Sequence, residues 1–431
     1  MGLFGTSGIR RIADSDLLEI ALKVGLALGK IHGTVIVGRD TRTSGEALKY
    51  ALIAGVMSAG AKCHDAGLVP TPTLAYATRN FEVGAMITAS HNPPRYNGIK
   101  IFNPDGSSYV SSQQEEMELV LSGPLSTAMW EEMREDCLPY SDAIDEHMDH
   151  VMRTLSVAKG TRVVVDCACG AASVITPFLL RKMGVDVVGL NTHSSGFFPH
   201  DAEPTEENLT DLARVCRELG AVGIAHDGDA DRMMAVDENG RFVPGDKLLV
   251  LLAQHIGARD VVTTVDASMM IEEQGLHTLR TKVGDTYVSE QLRNWGDFGG
   301  EPSGAWVFPK NSLCPDGIYA AALLASLASR KSLASLVDSV PQYPIIRGNV
   351  PNNGAAPDMD ELKLQLKAQQ VDNTDGNKFI LEDGWVLVRP SGTEPKIRVT
   401  AEGKTEARAR QLYDTAIRLI SVNPSSGGRK A

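Results

Sequence analysis

Three acidic residues at alternate positions of the segment HDGDADR give the strongest chemical signal in this chain. Asp227, Asp229 and Asp231 lie between two apolar segments, AVGIA and MMAVD, that have the character of β-strands. Three carboxylates on one short connection repel one another unless a cation neutralises them. Hard oxygen ligands select Mg²⁺, Ca²⁺ or Mn²⁺, and three carboxylates leave coordination positions open. The spacing predicts a divalent-cation site, with a solvated acidic turn as the alternative.

An EF-hand calcium site is rejected for the same segment. Glu238 falls at the twelfth position of such a loop, but Arg232 occupies the sixth, where glycine is required. The flanking segments have strand character, whereas an EF-hand needs helices on both sides.

Ser90 and His91 are neighbours in the segment MITASHNPP, at the end of an apolar strand-like stretch. Neighbouring residues of an extended chain point to opposite sides, so His91 is poorly placed to deprotonate Ser90 unless the loop curls. The sequence contains no G-x-S-x-G nucleophile elbow either. A hydrolase triad is therefore disfavoured. Lys100 lies just beyond, in the strand-like segment IKIF that follows an Asn-Gly turn.

The C-terminal segment RPSGTEPKIRV combines small hydroxyl and glycine residues with basic ones. The backbone N–H groups of such a turn can form an anion nest, and arginine supplies the bidentate fork that fits a phosphate. A hairpin turn between solvated basic strands is the alternative. The candidate anion ligands are Arg389, Ser391, Gly392, Thr393, Lys396 and Arg398.

Three weaker motifs also carry polar groups on glycine-rich turns. GGEPSGAW presents a carboxylate, Glu301, and a hydroxyl, Ser303, which suit the recognition of sugar hydroxyls, although a plain polar turn fits equally well. FGTSGIR, with Arg10, and GRDTRTSG at 38–45 are turns favourable to anions. Each of them taken alone is more typical of an ordinary turn than of a site.

Length and charge restrict the class of protein. The chain has 431 residues, which indicates several domains, and a net charge of −12, which argues against nucleic acid or an anionic membrane as the main partner. No apolar stretch approaches the roughly 20 residues of a membrane helix. The six scattered cysteines and the N-terminus without an apolar signal core predict a cytoplasmic protein.

The elements that must position these residues follow a repeated plan. The β-branched runs TVIVGRD, RVVVDCACG and DVVTTVDAS are each followed by a segment of helical character, such as SGEALKYALIAGVMSAGA or AASVITPFLLRKMG. This pattern predicts three similar α/β domains with mixed, mainly parallel sheets, followed by a C-terminal α+β domain. The expected domains are 1–150 with the Ser90 loop, 151–247 with the acidic loop, 248–345 with the Glu301 loop, and 346–431 with the anion loop.

Taken together, the motifs resemble those of the α-D-phosphohexomutase superfamily. TASHNPPRYNGIK is similar to its phosphoserine loop, DGDADR to its metal loop, GEPSGAW to its sugar loop and RPSGTEPKIRV to its phosphate loop. Their order and spacing match across essentially the whole chain. Within the superfamily the chain is most similar to the phosphoglucosamine mutases, with the phosphomannomutase/phosphoglucomutase members close behind.

The resemblance implies four domains around a central cleft, with a mobile last domain. It implies that Ser90 carries a phosphate and that one Mg²⁺ bridges this phosphate and the three aspartates of the acidic loop. The residues implied to surround the transferring phosphate are His91, Lys100, Arg10 and Arg232. The residues implied to bind the sugar hydroxyls and the non-reacting phosphate are Glu301, Ser303, Arg389, Ser391, Gly392, Thr393 and Arg398.

The implied reaction interconverts a hexose 6-phosphate and a hexose 1-phosphate through a bisphosphorylated sugar, which also serves as the activator. Glucosamine-6-phosphate is the expected substrate, for the synthesis of UDP-N-acetylglucosamine. Phosphomannomutase/phosphoglucomutase activity, a phosphatase that uses the same serine, and a phosphosugar-binding sensor are the alternatives. Ala305 stands where many members carry histidine, so the sugar preference is less well defined than the chemistry.

For proton transfer we expect Lys100 to be the first candidate base, since a lysine beside other cations and a buried wall has a lowered pKa. His91 is the second candidate. The expected partners are small phosphosugars, and both a monomer and a dimer remain open.

Overall fold

The computed structural model describes residues 2–5, 7–351, 357–390 and 396–421. The chain forms two compact units, one of Met1–Val261 with Gly284–Ser339 and one of Val262–Val283 with Val340–Ala431. Mixed sheets with covering helices confirm the predicted multi-domain α/β architecture. Within the described residues no single helix has the length and apolar composition needed to cross a bilayer. One bent pair of described helices, Gly317–Ala328 with Leu333–Ser339, has that length and composition when the two are counted together.

The first sheet has six strands and contains both parallel and antiparallel pairs. Its strands are β1 (Ile9–Ile12), β2 (Thr34–Arg39), β3 (Lys62–Leu68), β4 (Val83–Ile87), β5 (Tyr96–Phe102) and β6 (Cys137–Pro139). Its helices are α1 (Ser15–Ile31), α2 (Gly45–Ser58), α3 (Thr71–Ala77), α4 (Ser111–Ser122) and α5 (Ala143–Thr154). The strand order is β1-β5-β4-β2-β3-β6. Strand β2 runs parallel to β3 and β4, whereas β5 runs antiparallel to β4.

The second sheet repeats the central part of the first. Its strands are β7 (Arg162–Asp166), β8 (Asp186–Leu190), β9 (Val222–His226), β10 (Met233–Val236) and β11 (Phe242–Val243). Its helices are α6 (Thr176–Lys182), α7 (Thr210–Leu219) and α8 (Gly245–Ile256). The order β11-β10-β9-β7-β8 contains a parallel set, β9-β7-β8, flanked by the antiparallel β10. The same arrangement occurs in the first sheet as β5-β4-β2-β3, which agrees with the predicted repeat.

One predicted helix of the second repeat is interrupted. The segment AASVITPFLLRKMG was expected to be a single helix, but it forms a 3₁₀ turn at Ala171–Val174 and then α6, which begins at Thr176. Pro177 stands in the first turn of α6, where the missing N–H has no cost, and it cannot continue a helix that arrives from the N-terminal side.

The third repeat supplies strands to both compact units. Its strands are β12 (Asp260–Thr264), β13 (His277–Thr281), β14 (Phe298–Gly300), β15 (Trp306–Phe308) and β16 (Ser312–Pro315). Its helices are α9 (Met270–Glu273), α10 (Asp285–Leu292), α11 (Gly317–Ala328) and α12 (Leu333–Ser339). In the first unit β14 and β15 form an antiparallel pair, and β16 continues it on the other side of β15.

The C-terminal region is a purely antiparallel sheet with two helices, as predicted for the α+β domain. Its strands are β17 (Ile345–Pro351), β18 (Gln370–Asp372), β19 (Asn377–Leu381), β20 (Gly384–Pro390) and β21 (Lys396–Gly403), in the order β17-β21-β20-β19-β18. Its helices are α13 (Met359–Leu366) and α14 (Glu406–Ser421). The predicted hairpin between β19 and β20 is present, but its two connecting residues are Glu382 and Asp383, and Gly384 is already the first residue of β20. Trp385 and Leu387 on β20 pack against Val265, so residues that follow β12 belong to the core of this unit.

Candidate active site

Three of the four motifs occupy equivalent connections in the three repeats. Each lies between a sheet strand and the antiparallel strand that follows it: residues 88–95 join β4 to β5, residues 227–232 join β9 to β10, and residues 301–305 join β14 to β15. The equivalent hairpin connection therefore carries the predicted site residues in every repeat. The strands themselves are buried and apolar, because helices cover both faces of the sheets.

The Ser90 loop and the acidic loop meet through a direct hydrogen bond. Ser90 is 1% exposed, and its Oγ donates to Asp227 Oδ2 at 2.6 Å. The backbone of Ser90 adopts a left-handed conformation, with φ of 51°, so the loop does curl. As a result, His91 Nδ1 lies 3.3 Å from Ser90 Oγ, which is the exception that was allowed for a curled loop.

The three aspartates lie together; Asp227 uses both of its oxygens in hydrogen bonds to the protein, whereas Asp229 and Asp231 each use one. Their nearest ligand oxygens all fall within 4.8 Å of one another. Asp229 Oδ2 accepts hydrogen bonds from Thr71 Oγ1 at 2.6 Å and from Lys100 Nζ at 2.8 Å. Asp231 Oδ2 also accepts from Lys100 Nζ. Asp227 Oδ1 accepts from the backbone N–H of Arg232 at 3.2 Å.

Two buried oxygens of this cluster fit a metal ion. Among the described residues, Asp229 Oδ1 and Asp231 Oδ1 have no hydrogen-bond partner although both are shielded from solvent. Burial, together with repulsion from the other two aspartates, raises the pKa of Asp227 well above its usual value. Burial and repulsion from Asp229 also raise the pKa of Asp231. Unpartnered oxygens in a repulsive carboxylate cluster are the donor set that a divalent cation would complete.

Lys100 is an ammonium in this arrangement, contrary to the expectation of a lowered pKa. Burial alone would lower the pKa of Lys100, but the carboxylates of Asp229 and Asp231 outweigh it and raise the pKa above its ordinary value. The same contacts hold the pKa of Asp229 below its usual range despite burial. Lys100 therefore acts here as a cation that partly neutralises the acidic loop.

His91 is a neutral imidazole. Burial and the positive charges of Arg232 and Arg10 lower the pKa of His91 to about 2. Arg10 Nη1 donates to Asn92 Oδ1 at 3.0 Å, and Arg232 Nη1 pairs with Glu203 at 3.1 Å. Of the four residues that the resemblance places around the transferring phosphate, His91 lies beside Ser90 Oγ, Arg10 contacts the Ser90 loop through Asn92, and Lys100 and Arg232 contact the acidic loop.

The Glu301 loop lies in the same compact unit. Glu301 accepts a hydrogen bond from the N–H of Gly284 at 2.8 Å, while the buried Ser303 Oγ has no partner among the described residues. Ala305 is 3% exposed and forms an isolated β-bridge with Arg232, so the Glu301 loop and the acidic loop are joined through their backbones. A hydroxyl with no protein partner is suited to a ligand.

The anion loop lies in the other compact unit, and two of its arginines are neighbours. Arg389 on β20 and Arg398 on β21 are paired in register, so their side chains leave the same face of the sheet. Arg389 Nη1 lies 3.3 Å from Asp375, and its buried Nε has no partner among the described residues. Two guanidinium groups opposite each other favour an anion between them. Ser391, Gly392 and Thr393 fall outside the described residues.

The sequence did not identify Thr71, Asn92 and Glu203, whose contacts with Asp229, Arg10 and Arg232 were described above. Thr71 stands in the unremarkable segment VPTPT, and only the fold brings it to the acidic loop. The turn GRDTRTSG was expected to favour anions, but the Arg42 side chain is fully buried and its donors are used by the protein. No sequence signal distinguishes Thr71, Asn92 and Glu203 from ordinary polar residues.

Family models match the four regions in turn. The models are described as phosphoglucomutase/phosphomannomutase alpha/beta/alpha domain I, at residues 1–122, domain II at 139–240, domain III at 244–343 and the C-terminal domain at 346–419. A curated relative from Methanocella arvoryzae, named probable phosphoglucosamine mutase, is 45% identical over 97% of this chain and 98% of its own length. The chain belongs to the phosphoglucomutase/phosphomannomutase family.

Other members of the family agree in sequence and in fold. A phosphoglucosamine mutase from Methanocaldococcus jannaschii is 39% identical over 97% of this chain and 98% of its own length. The crystal structure of a phosphoglucomutase/phosphomannomutase family protein from Burkholderia thailandensis superposes with a TM-score of 0.84, at 25% identity and 96% coverage of both chains. The family assignment thus extends over nearly the whole chain.

Proposed function

We propose that this family member is a phosphoglucosamine mutase that interconverts glucosamine-6-phosphate and glucosamine-1-phosphate. The observation that carries the proposal is the buried hydrogen bond from Ser90 Oγ to Asp227, which places a nucleophilic hydroxyl on a cluster of three carboxylates. Relatives named phosphoglucosamine mutase, 39% to 46% identical over nearly the full length, support the choice of substrate. The product would serve amino-sugar nucleotide synthesis.

The chemistry is a phosphoryl transfer in two directions. A phosphate ester on Ser90 donates its phosphoryl group to the free hydroxyl of the sugar phosphate, so that the P–Oγ bond breaks and a bond to the sugar oxygen forms. The sugar is then a bisphosphate, which matches its expected role as activator. After the sugar has reversed its orientation, Ser90 Oγ takes back the other phosphate, and the isomeric monophosphate leaves.

Charge stabilisation would come from the groups around Ser90. Asp227, Asp229 and Asp231, together with the Ser90 phosphate, would hold one Mg²⁺. When bound, the ion neutralises charge on the phosphoryl oxygens. Lys100, Arg10 and Arg232 add positive charge on the protein side. Water must be excluded during transfer, or the phosphoserine would be hydrolysed.

Proton transfer from the sugar hydroxyl requires a base. Lys100 remains the first candidate, although it is an ammonium while Asp229 and Asp231 hold it. A divalent cation bound to these carboxylates would weaken that hold and lower the pKa of Lys100. His91 is the second candidate and is already neutral, but a pKa of about 2 makes it a weak base.

Substrate recognition is proposed to use both remaining loops. Glu301 and Ser303 would bind the sugar hydroxyls, and Arg389 with Arg398 would bind the phosphate that is not reacting. The loop residues Ser391, Gly392 and Thr393 are proposed to contribute donors to the same phosphate. Orientation of a doubly held substrate can lower the barrier by about 7–11 kcal/mol. Because Ala305 stands where many members carry a histidine, the preference among hexose phosphates is left to the assays below.

The remaining sequence expectations are also proposals. The proposed domain boundaries near 247 and 345 are supported by the family models, since domain II ends at 240 and domain III begins at 244, and domain III ends at 343 and the C-terminal domain begins at 346. The proposed boundary near 150 lies instead inside the domain II match, which begins at 139. We further propose that the enzyme is cytoplasmic, that it does not bind nucleic acid or membranes, and that it is a monomer or a dimer.

The test is a set of coupled assays with glucosamine-6-phosphate, mannose-6-phosphate and glucose-6-phosphate under identical conditions. We expect glucosamine-6-phosphate to give the highest kcat/KM, peptide mass spectrometry to find phosphate on Ser90, and Ser90→Ala to lose turnover. Preference for mannose or glucose phosphate would reassign the substrate within the family. Bulk release of inorganic phosphate would indicate a phosphatase, and binding without turnover would indicate a sensor.

A further inference from the structure

Arg42 holds the backbone of the loop that carries Ser90. Its side chain is 1% exposed. Nη2 donates to the carbonyl oxygens of Ser90 and Asn92, both at 2.7 Å. Nη1 donates to the carbonyl oxygens of Pro93 and Tyr96, both at 2.9 Å. One guanidinium group therefore gathers four carbonyls from a stretch of seven residues.

Asp40 fixes this guanidinium and extends the network to the backbone N–H of Ser90. Arg42 Nε donates to Asp40 Oδ2 at 3.1 Å, which occupies the fifth and last donor of the guanidinium. Thr88 Oγ1 donates to the same Asp40 oxygen at 2.7 Å and accepts from the N–H of Ser90 at 2.9 Å. Arg42 has no donor left for a substrate, so any effect on the reaction must pass through the loop.

The Ser90 carbonyl is confined from the opposite side as well. A Cβ added to Gly228 would lie 2.6 Å from Ser90 O, so the backbone of the acidic loop is in close contact with this carbonyl. The Arg42 guanidinium also stacks over Phe198, with its carbon 5.2 Å from the ring centre. The carbonyl is thus held between Arg42 and Gly228, which fixes the Ser90 loop against the acidic loop.

The geometry of Ser90 requires such support. A serine with φ of 51° occupies a left-handed conformation that an L-residue adopts at a cost, and it persists only where the surroundings impose it. This conformation turns Oγ toward Asp227 and His91. Arginine suits the task because its planar fork reaches four carbonyls and one carboxylate at once, whereas a lysine ammonium has three donors at a single point.

We infer that Arg42 is a positioning residue for phosphoryl transfer, holding Ser90 Oγ at the acidic loop through the carbonyls of its loop and through Asp40. The inference rests on the proposed function of Ser90 as the phosphoryl carrier. It differs from a role in substrate binding, because the guanidinium is buried and fully engaged by the protein. The consequence is that a change at Arg42 affects kcat and leaves KM nearly unaltered.

The first test compares Arg42→Lys with Arg280→Lys. Arg280 is a matched control in the other compact unit, since it also pairs with a carboxylate, Glu272, and donates to three backbone carbonyls, those of Thr264, Ala267 and Ser268. We expect Arg42→Lys to reduce kcat by about 100-fold, since a displacement of about 1 Å has such an effect, with KM within about threefold of wild type. The kcat and KM of Arg280→Lys should both remain within about twofold of the wild-type values.

A second pair of variants covers the case in which Arg42→Lys does not fold. Thr88→Val removes the hydroxyl that joins Asp40 to the Ser90 N–H, whereas Thr88→Ser keeps it. We expect the kcat of Thr88→Val to be about tenfold below that of wild type with an unchanged KM, and the kcat of Thr88→Ser to be close to that of wild type. Equal kcat values for the two Thr88 variants would overturn the inference.

Failure of the inference can be told apart from failure of the proposed function. Wild-type enzyme is assayed first for mutase turnover and for phosphate on Ser90, and an inactive, unphosphorylated wild type would refute the function itself. With an active wild type, a folded Arg42→Lys that keeps kcat within about threefold would refute only the positioning role. A rise in KM at constant kcat, or an equal loss in Arg280→Lys, would refute it as well.

Discussion

Ser90 Oγ and Asp227 Oδ2 are joined by a hydrogen bond of 2.6 Å although 137 positions separate them in the chain. The two residues lie in equivalent hairpin connections: Ser90 is the third residue after β4, and Asp227 is the first residue after β9. The repeated plan of the two sheets therefore brings a hydroxyl from the first repeat to a carboxylate from the second. An internal repeat thus supplies complementary chemical groups from equivalent connections.

Replacement of Asp227 by Asn tests whether the charge of this contact matters. The amide keeps an oxygen that can accept from Ser90 but removes one negative charge from the proposed cation site, so we expect kcat to fall by at least about 100-fold. Steady-state mutase assays at saturating Mg²⁺ measure the effect. Asp211→Asn is the control, because Asp211 is 79% exposed on α7, and it should retain wild-type activity. If the kcat of Asp227→Asn were within about twofold of that of Asp211→Asn, the carboxylate charge of Asp227 would not be essential for the reaction.

The loops could be predicted from the sequence because their residue types are unusual for their positions. Three aspartates at alternate positions, and a serine at the end of an apolar strand, have few purely structural explanations. The strand runs predicted the sheets, since continuous β-branched segments are typical of strands covered on both faces. The segment before α6 shows a limit, because the helical character of AASVITPFLLRKMG predicted one helix, although Pro177 cannot continue a helix that arrives from the N-terminal side.

The electrostatics could not be predicted, because they depend on partners that the fold brings from far away. Basic residues and an apolar strand surround Lys100 in the sequence, which suggested a lowered pKa. The carboxylates that raise the pKa lie 129 and 131 positions further along the chain. Thr71 is a similar case, since its partner Asp229 is 158 positions away.

Asp231→Asn should stabilise the enzyme in the absence of divalent metal. Burial and repulsion raise the pKa of Asp231, so the folded state binds more protons than the unfolded chain, and stability falls as pH rises above about 4. A neutral amide removes that repulsion. In chelator at pH 7.5 we expect the melting temperature to rise by a few degrees, equivalent to about 1 kcal/mol, and its decline with pH to become shallower. Calorimetry that showed a lower melting temperature would argue against carboxylate repulsion in this loop.

Lys100→Met should have the opposite effect. Lys100 is the cation that contacts Asp229 and Asp231, and its removal leaves buried carboxylates without that compensation. The loss of one partner of a buried ion pair typically costs about 3–5 kcal/mol, so we expect a clearly lower melting temperature in chelator. Added Mg²⁺ should restore part of the loss, because it neutralises the same oxygens. The exposed Lys23→Met on α1 is the control. If Lys100→Met were as stable as Lys23→Met in chelator, Lys100 would not be the cation that compensates the buried carboxylates.

Lys378 in the C-terminal unit gives a pH dependence that is independent of the active site. Its side chain is 4% exposed, Nζ donates to Val265 O at 2.7 Å and lies 4.2 Å from the centre of the Trp385 ring, and burial lowers the pKa to about 7. The unfolded chain holds its lysine proton up to about pH 10.4, so between pH 7 and 10 the unfolded state binds more protons and stability rises with pH.

Hydrogen exchange of the β20 amides at pH 7, 8 and 9, corrected for the intrinsic exchange rate, measures this dependence. We expect protection to increase with pH in wild type, by up to about 1.4 kcal/mol per pH unit, and the increase to disappear in Lys378→Met. Lys363→Met, at an exposed position of α13, should keep the wild-type slope. The same slope in Lys378→Met and wild type would mean that another group titrates, whereas a slope lost only in Lys378→Met identifies this buried amine as its source.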